Sequence, residues 1–327
     1  MTTELFSFEV DPVIDADPAR DQIAEAFLAA DSTGRRFAAV FRRTFDSLYD
    51  GQHTGRYRWD QLTKTEKTHY GSLFEINLRR EFDDVIDDVP NEDSALDYRV
   101  LGHDIDCKFS QRVNGWMLPP ECFGHLLLVA TSNDDRGTWS LGIVRASEEN
   151  RRETSNRDKK TQLNPRGTSQ IKWLFRDHAL PPNILLSLNS TTIEKIFTKG
   201  SGQARINELC RLVTKRRIGR NTVATVAQQE DYMARLRDNG TGARTALRAE
   251  GYLIVGDYEA HRRVARELHL PRPESGEIVS FQVVPADGTD RPTVYLDDRN
   301  WRVAEPGDSV IEPAPKLPTT RREKNPG

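Results

Sequence analysis

The chain has 327 residues, roughly two domains' worth at ~150 residues each, with 36 % hydrophobic and 30 % charged residues. Its 47 Lys+Arg against 50 Asp+Glu give a formal net charge of −3, which excludes a uniformly basic nucleic-acid coat protein but not a local basic site. No run approaches the ~18–20 apolar residues of a membrane span, no basic-then-apolar leader is visible, and three cysteines without CxxC spacing offer neither a disulfide framework nor a zinc site, so a cytoplasmic protein is expected.

In chain order, Ile23, Ala26, Phe27 and Ala30 have the spacing of a helix with one buried stripe. Phe37, Val40, Phe41, Phe45 and Leu48 predict a second helix, stopped at Gly51. A third opens on a capping box, Thr63 three residues before Glu66, and buries Tyr70, Leu73, Phe74, Leu78 and Phe82. Glu75 falls on the border of that face. Strand character follows. Leu96–Leu101 and Ile105–Ser110 read as a hairpin around Gly102, Leu126–Thr131 as a central strand covered on both faces, and Trp139, Leu141 and Ile143 as its partner. Helices followed by a mostly sequential sheet make an α/β or α+β domain.

Residues 148–170 are polar and charged around a single long aliphatic, Leu163, and read as a linker; the tail from Glu305, with five prolines, reads as disordered. The second half reads as mostly helical. Thr191 and Glu194 cap a short helix ending at Gly200, and Ile206, Leu209, Cys210 and Val213 stripe the next. A β-branched stretch over Asn221–Ala227 precedes a helical segment through Met233 and Leu236, then Ala243–Glu250 and a strand, Tyr252–Gly256. This pattern is compatible with a winged helix-turn-helix. The expected layout is an α/β domain at 15–150, a linker at 151–170, a second, mostly helical domain at 171–304 and a tail at 305–327.

Charge is segregated. Residues 1–34 hold eight acids and one base, and residues 81–98 eight acids and no base; residues 199–248 hold eleven bases against four acids. A single charge run is usually a solvated face. Segregation into halves points to cation chemistry in the first and phosphate contact in the second.

Asp106 and Lys108 alternate onto one face of their strand, with Ile105, Cys107 and Phe109 on the other, and Asp97 lies on the paired strand. Two carboxylates (Asp97, Asp106) and an ammonium, with Glu75 upstream, are the equipment of metal-assisted phosphodiester hydrolysis. Hard oxygen ligands suit Mg²⁺, and the lysine orients water or offsets charge on phosphorus. A bare D-x-K is a weak signal, and the chain has a second, Asp158 and Lys160, in the polar stretch. The residues alone leave a surface ion pair open, and three functions with it: a nuclease, a non-catalytic winged-helix regulator, or a structure-directed repair nuclease. His53, Arg56, Arg58, Lys64 and Lys67, near the site in sequence, are candidate phosphate contacts, as are Arg235, Arg237, Arg244 and Arg248 in the basic half.

The stretches LYDGQHTGRYRWDQLTKTEKTHYGSLFEINL (48–78), LDYRVLGHDIDCKFSQ (96–111), WSLGIVRASEE (139–149), SGQARINELCRLV (201–213) and RNTVATVAQQ (220–229) resemble the NaeI type II restriction endonuclease family, from about residue 20 to about 285. The resemblance implies a PD-(D/E)xK nuclease domain followed by a winged-helix domain like that of the catabolite activator protein, and it implies that Glu75, Asp97, Asp106 and Lys108 are the catalytic acids and lysine. Leu96 stands where the general motif has proline. Also implied are Mg²⁺ as cofactor without a nucleotide, a homodimer, a GC-rich palindrome of the GCCGGC type, and type IIE behaviour in which a second DNA copy stimulates cleavage. Leu48-Tyr49-Asp50-Gly51 further resembles the Lys-Tyr-Asp-Gly signature of ATP-dependent DNA ligases. Leucine in place of the lysine has no nucleophile and blocks that chemistry, which leaves a helix end capped by Gly51.

Overall fold

The computed structural model describes residues 14–87, 96–286, 288 and 291–318. They form two compact units. One comprises the described residues up to Leu48 together with Leu62–Pro182; the other comprises Tyr49–Gln61 together with the described residues from Asn183 onward.

The first unit begins with α1 (Pro18–Ala30), which has Pro18 in its first turn and Asp17 as N-cap, accepting from the Arg20 N–H. Asp31 then caps α2 (Arg35–Tyr49) by accepting from the backbone N–H groups of Arg35, Arg36 and Phe37. The chain passes through α3 (Gly51–Thr54), in the second unit, and returns at α4 (Lys64–Glu81), whose Thr63/Glu66 capping box forms as the spacing predicts. Phe27, Phe37, Phe41, Phe45, Tyr70, Phe74, Leu78 and Phe82 are fully buried. The rings of Phe37 and Phe82 stack at 4.2 Å and those of Phe41 and Phe74 at 4.5 Å.

These helices cover one face of a five-stranded sheet in sequential order: β1 (Tyr98–Val100), β2 (His103–Ser110), β3 (Leu126–Asn133), β4 (Thr138–Arg145) and β5 (Lys172–Ala179). β2 and β3 are parallel and the other pairs antiparallel. β3 is the buried central strand that its unbroken apolar run predicts.

The expected linker at 151–170 is instead part of this unit. Arg151 pairs with Leu163 and Leu118 with Thr161 in isolated bridges, and α5 (Pro165–Ser169) leads straight into β5. Leu163 and Ile171 pack with Trp116, Leu118 and Cys122 on Leu127, Val129 and Val144, closing the sheet's second face. One long aliphatic in a polar segment is enough to anchor it when the backbone polar groups find partners locally.

In the second unit, α3 packs on α8 (Arg220–Ala227): a Cβ on Gly51 would come within 2.0 Å of Thr225 Oγ1. The turn into α3 is made by Asp50 at φ 47°, so Gly51 opens a helix rather than closing one. Tyr57 stacks on Phe197, and its carbonyl accepts from Asn183. α6 (Ser190–Phe197) is capped by Asn189 rather than Thr191. α7 (Gly202–Leu212) buries Ile206, Leu209 and Cys210 as the stripe predicts. The β-branched stretch is helical as α8, because Val223 and Val226 bury against the same core and tertiary packing overrides their strand propensity.

α9 (Ala243–Arg248) and α10 (Glu259–Glu267) complete the helices. The strands β6 (Arg217–Ile218), β7 (Tyr252–Val255), β8 (Ile278–Pro285), β9 (Val294–Leu296) and β10 (Arg299–Val303) form a second sheet. It runs β6-β8-β10-β9, with β7 also on β8. The expected disorder from 305 does not hold for the described part. Ala314 is buried and its N–H donates to Arg248 O, while Lys316 N–H donates to Asp297. Residues 319–327 lie outside the described residues. No described helix is long and apolar enough to cross a membrane.

Candidate active site

The β1–β2 hairpin turns on two consecutive left-handed residues, Leu101 (φ 51°) and Gly102 (φ 78°), as a two-residue hairpin loop requires. The turn fixes the register: Tyr98 faces Ile105, Arg99 faces Asp104 and Val100 faces His103. Continued by one step, that ladder sets Asp97 against Asp106, whose pKa is raised by burial with the help of the Asp97 carboxyl. Asp97 Oδ2 also accepts from the Cys107 N–H at 2.7 Å.

Strand alternation sends Cys107 and Phe109 toward α4, where Phe109 stacks on Tyr70 at 4.1 Å. Asp106 and Lys108 take the other face and form an ion pair. Asp106 is 2 % exposed, and apart from the Lys108 ammonium beside it, its buried Oδ2 meets no donor. Burial pushes the Asp106 carboxyl above its ordinary range against the pull of Lys108. Burial works to lower Lys108, yet Asp106 holds its ammonium above the usual value.

Glu75 reaches the same edge from α4. Burial and then the Asp97 charge raise its pKa to about 7, against Lys108 and Arg79. Two further residues tie α4 to β1. The buried Tyr98 hydroxyl donates to the Glu75 carbonyl at 2.8 Å, and Arg79 donates to the Asp97 carbonyl while its guanidinium lies 5.6 Å from the Tyr98 ring centre. Glu75 and Arg79, one helical turn apart, are thus both fastened to residues 97–98. Sequence reasoning passed over Arg79 and Tyr98, although each lies within one turn or one residue of a candidate acid.

Among the described residues, no three His, Cys, Asp or Glu side chains close into a metal cluster, so the expected trio of Glu75, Asp97 and Asp106 does not converge on one point. The pair does fit a hard divalent cation. Asp97 is held beside β2 by the Cys107 N–H, the buried Asp106 Oδ2 meets no donor but the Lys108 ammonium, and Mg²⁺ is commonly held by one or two carboxylates with water and phosphate completing its shell.

The candidate phosphate contacts do not form one group. Lys64 and Lys67 lie in the first turn of α4, whereas His53, Arg56 and Arg58 belong to the second unit. There His53 pairs with Asp50 at 2.6 Å, Arg58 with Asp60 at 3.0 Å, and Arg56 Nε donates to Tyr49 O. Arg237 is exposed, and Arg235 and Arg248 are half-buried. Arg244 is turned inward, donating from Nε to Ile254 O at 2.8 Å, and burial lowers its pKa.

Residues 21–312 match the family described as "Restriction endonuclease NaeI". The chain is 44 % identical to the "Type II restriction enzyme NaeI" of Lentzea aerocolonigenes over 322 residues, 95 % of this chain and 99 % of that enzyme.

The chain belongs to the NaeI restriction endonuclease family.

As a member it is a type II site-specific deoxyribonuclease acting on double-stranded DNA. Membership decides among the readings that the residues alone leave open, against the non-catalytic regulator and the structure-directed repair nuclease. The mixed α/β first unit, with its mostly antiparallel sheet under helices, is compatible with a restriction-endonuclease-like fold.

Proposed function

We propose that this member of the NaeI family is a Mg²⁺-dependent type IIE endonuclease whose cleavage centre is Glu75, Asp97, Asp106 and Lys108. The observation that carries the reading is the Asp97 carboxylate held by the Cys107 N–H next to the buried Asp106, with Lys108 paired to Asp106 and Glu75 under the charge of Asp97. Asp97 and Asp106 would hold the Mg²⁺, with Glu75 nearby as a further acid. A bound divalent ion there supplies charge neutralisation at the attacked phosphate and a more acidic water. Lys108 stays protonated through its Asp106 contact and presents a positive charge to the phosphate oxygens as negative charge develops on them. Burial of Asp106 keeps bulk water from screening that arrangement.

The second unit is proposed as a winged-helix DNA-binding domain. Its elements run α7, β6, α8, α9, β7, α10 and β8, and β8 lies between β6 and β7. Apart from α10, inserted between the last two strands, this is the order helix, strand, two helices and two strands, with the last strand central. The enzyme is proposed to act as a homodimer, because one centre cuts one strand and a palindrome calls for two centres about a twofold axis. Likeness to NaeI supports a GC-rich palindrome of the GCCGGC type and stimulation by a second DNA copy on the winged-helix unit.

The test is a plasmid carrying one such site, digested with Mg²⁺ or with chelator and with or without a short uncleavable cognate duplex. The expected result is Mg²⁺-dependent linear product with ends inside the palindrome, accelerated by the added duplex. Cleavage in chelator, ends scattered over the plasmid, or inhibition by the duplex at every concentration would each overturn the corresponding part.

A further inference from the structure

The second unit carries a cleft of about 480 Å³ lined by Arg217, Arg262, Pro271, Arg272, Pro273 and Glu274. Its arginines come from separate pieces of chain: Arg217 from β6, Arg262 from α10, and Arg272 from the loop between α10 and β8. A fourth, Arg220 in the first turn of α8, packs against Gly276 of that loop. Clustered guanidinium groups repel one another, so their convergence needs a compensating charge.

The nearby acids do not supply enough. Glu274 and Glu277 both pair with Arg217, and Asp257 accepts from the Gly276 N–H. Among the described residues, Arg220, Arg262 and Arg272 have no carboxylate partner. Arg220 Nε donates to the Tyr232 hydroxyl at 2.7 Å, and Arg262 Nε donates to the Pro273 carbonyl at 3.1 Å. Each bond orients a guanidinium through Nε and leaves a fork of terminal N–H donors, the geometry that grips phosphate oxygens. Prolines on both sides of Arg272 restrict the loop that presents it.

We propose that this cleft is a phosphodiester-binding site that grips the backbone of the DNA on the second unit. The proposal rests on the winged-helix reading above. It is set by topology, because the chain between β7 and β8 is where such a fold carries its wing. Here that stretch holds α10 and the Pro271–Gly276 loop, with Arg262, Arg263, Arg266 and Arg272 along it. The inserted helix therefore replaces an extended wing with a basic one. Glu274, whose side chain is 75 % exposed, lines the cleft and faces an incoming phosphate. It opposes binding.

The test measures affinity of the full-length protein for a cognate duplex in divalent-free buffer across a range of salt. The R262A/R272A double variant should bind about 10-fold or more weakly at moderate salt and lose about 1.8 from the slope of log K against log salt, two phosphate contacts at ~0.9 each. R262K/R272K should restore most of the slope, and E274Q should tighten binding a few-fold. A merely structural role would produce neither of those two responses. An unchanged slope in R262A/R272A, with weaker binding in R237A/R248A, the first ahead of α9 and the second at its end, would overturn the cleft assignment alone. If R237A/R248A also binds as the parent does, the DNA-binding reading of the unit falls and the cleft with it. A heat-unfolding midpoint raised by pyrophosphate, with no change in salt slope, would assign the cleft to a small free anion and overturn the proposal.

Discussion

The chain carries the same triplet pattern twice, and the two copies are chemically unlike. Asp106 and Lys108 sit on β2, where alternation puts both on one face, Asp97 just ahead of β1 accepts from the Cys107 N–H between them, and Asp106 is buried. Asp158 and Lys160 sit in a tight loop. Both of their backbone N–H groups donate to Asn156 Oδ1, Lys159 between them is left-handed at φ 59°, and all three side chains are exposed. Unit charges 4 Å apart interact by about 1 kcal/mol in bulk water and about 4 kcal/mol at the effective dielectric of a protein surface region. The exposed copy therefore has neither fixed geometry nor a field to apply. What sets the first copy apart is the strand beneath it and the acid beside it, not the triplet.

That contrast predicts its own largest effect. Asp106→Asn or Lys108→Ala should lower cleavage in Mg²⁺ by about 10³-fold or more, equivalent to at least ~4 kcal/mol of transition-state stabilisation. Cognate duplex should still shift in a gel. Retained cutting by either variant would return Asp106 and Lys108 to the status of a surface pair.

The second effect concerns what lies under the site. The segment around Asp158 is tied down at Leu163, which helps to close the very face of the sheet on which Asp106 and Lys108 stand. Leu163→Ala should destabilise the protein by about 2–4 kcal/mol, read by denaturant unfolding, through lost burial and the cavity left behind. A loss below about 1 kcal/mol would restore the linker reading for this segment.

Leu163 also marks where sequence reading stops. The hairpin, the central strand, the Thr63 cap and the placing of Asp106 and Lys108 on one strand face are legible because each rests on local spacing: period two, period 3.6, or a cap three residues away. The cover over the sheet is not, because its one aliphatic carries no period and its partners, Leu127 and Val144, lie elsewhere in the chain. Segment 49–61 is misjudged for the same reason. Its place in the second unit is decided by Gly51 against Thr225 and Tyr57 against Phe197, contacts with no local signature. Helix α8 shows the converse, a local strand preference overruled by distant packing.

A third, smaller effect separates function from stability. Glu75 is held up to about 7 by burial and Asp97, so in metal-free buffer its charge destabilises the fold. A carboxyl whose folded pKa lies above its unfolded value of ~4.3 contributes stability that is complete below pH ~4.3 and is lost as pH rises through 7. Glu75→Gln should therefore raise stability at pH 8 in chelator by about 1–2 kcal/mol, after discounting for partial exposure, while impairing cleavage. A destabilised Gln variant at pH 8 would show that the charge is compensated in the resting fold.

The smallest expected effect is the one that isolates context most cleanly. Asp158→Asn and Lys160→Ala, alone or together, should change the cleavage rate less than twofold and stability by no more than about 0.5 kcal/mol. The loop is held through backbone N–H groups donating to Asn156 Oδ1, through Lys159 N–H to the Asn156 carbonyl and through Asn156 N–H to the Lys160 carbonyl, none of which uses either altered side chain. Asn156→Ala removes the shared acceptor and should loosen the loop more than both charge changes combined, by about 1 kcal/mol. This ordering sets the second triplet's backbone above its charges. If instead the double charge variant lost cleavage while Asn156→Ala kept it, Asp158 and Lys160 would have to act on DNA directly, and burial beside a second acid would no longer be the feature that distinguishes the two copies.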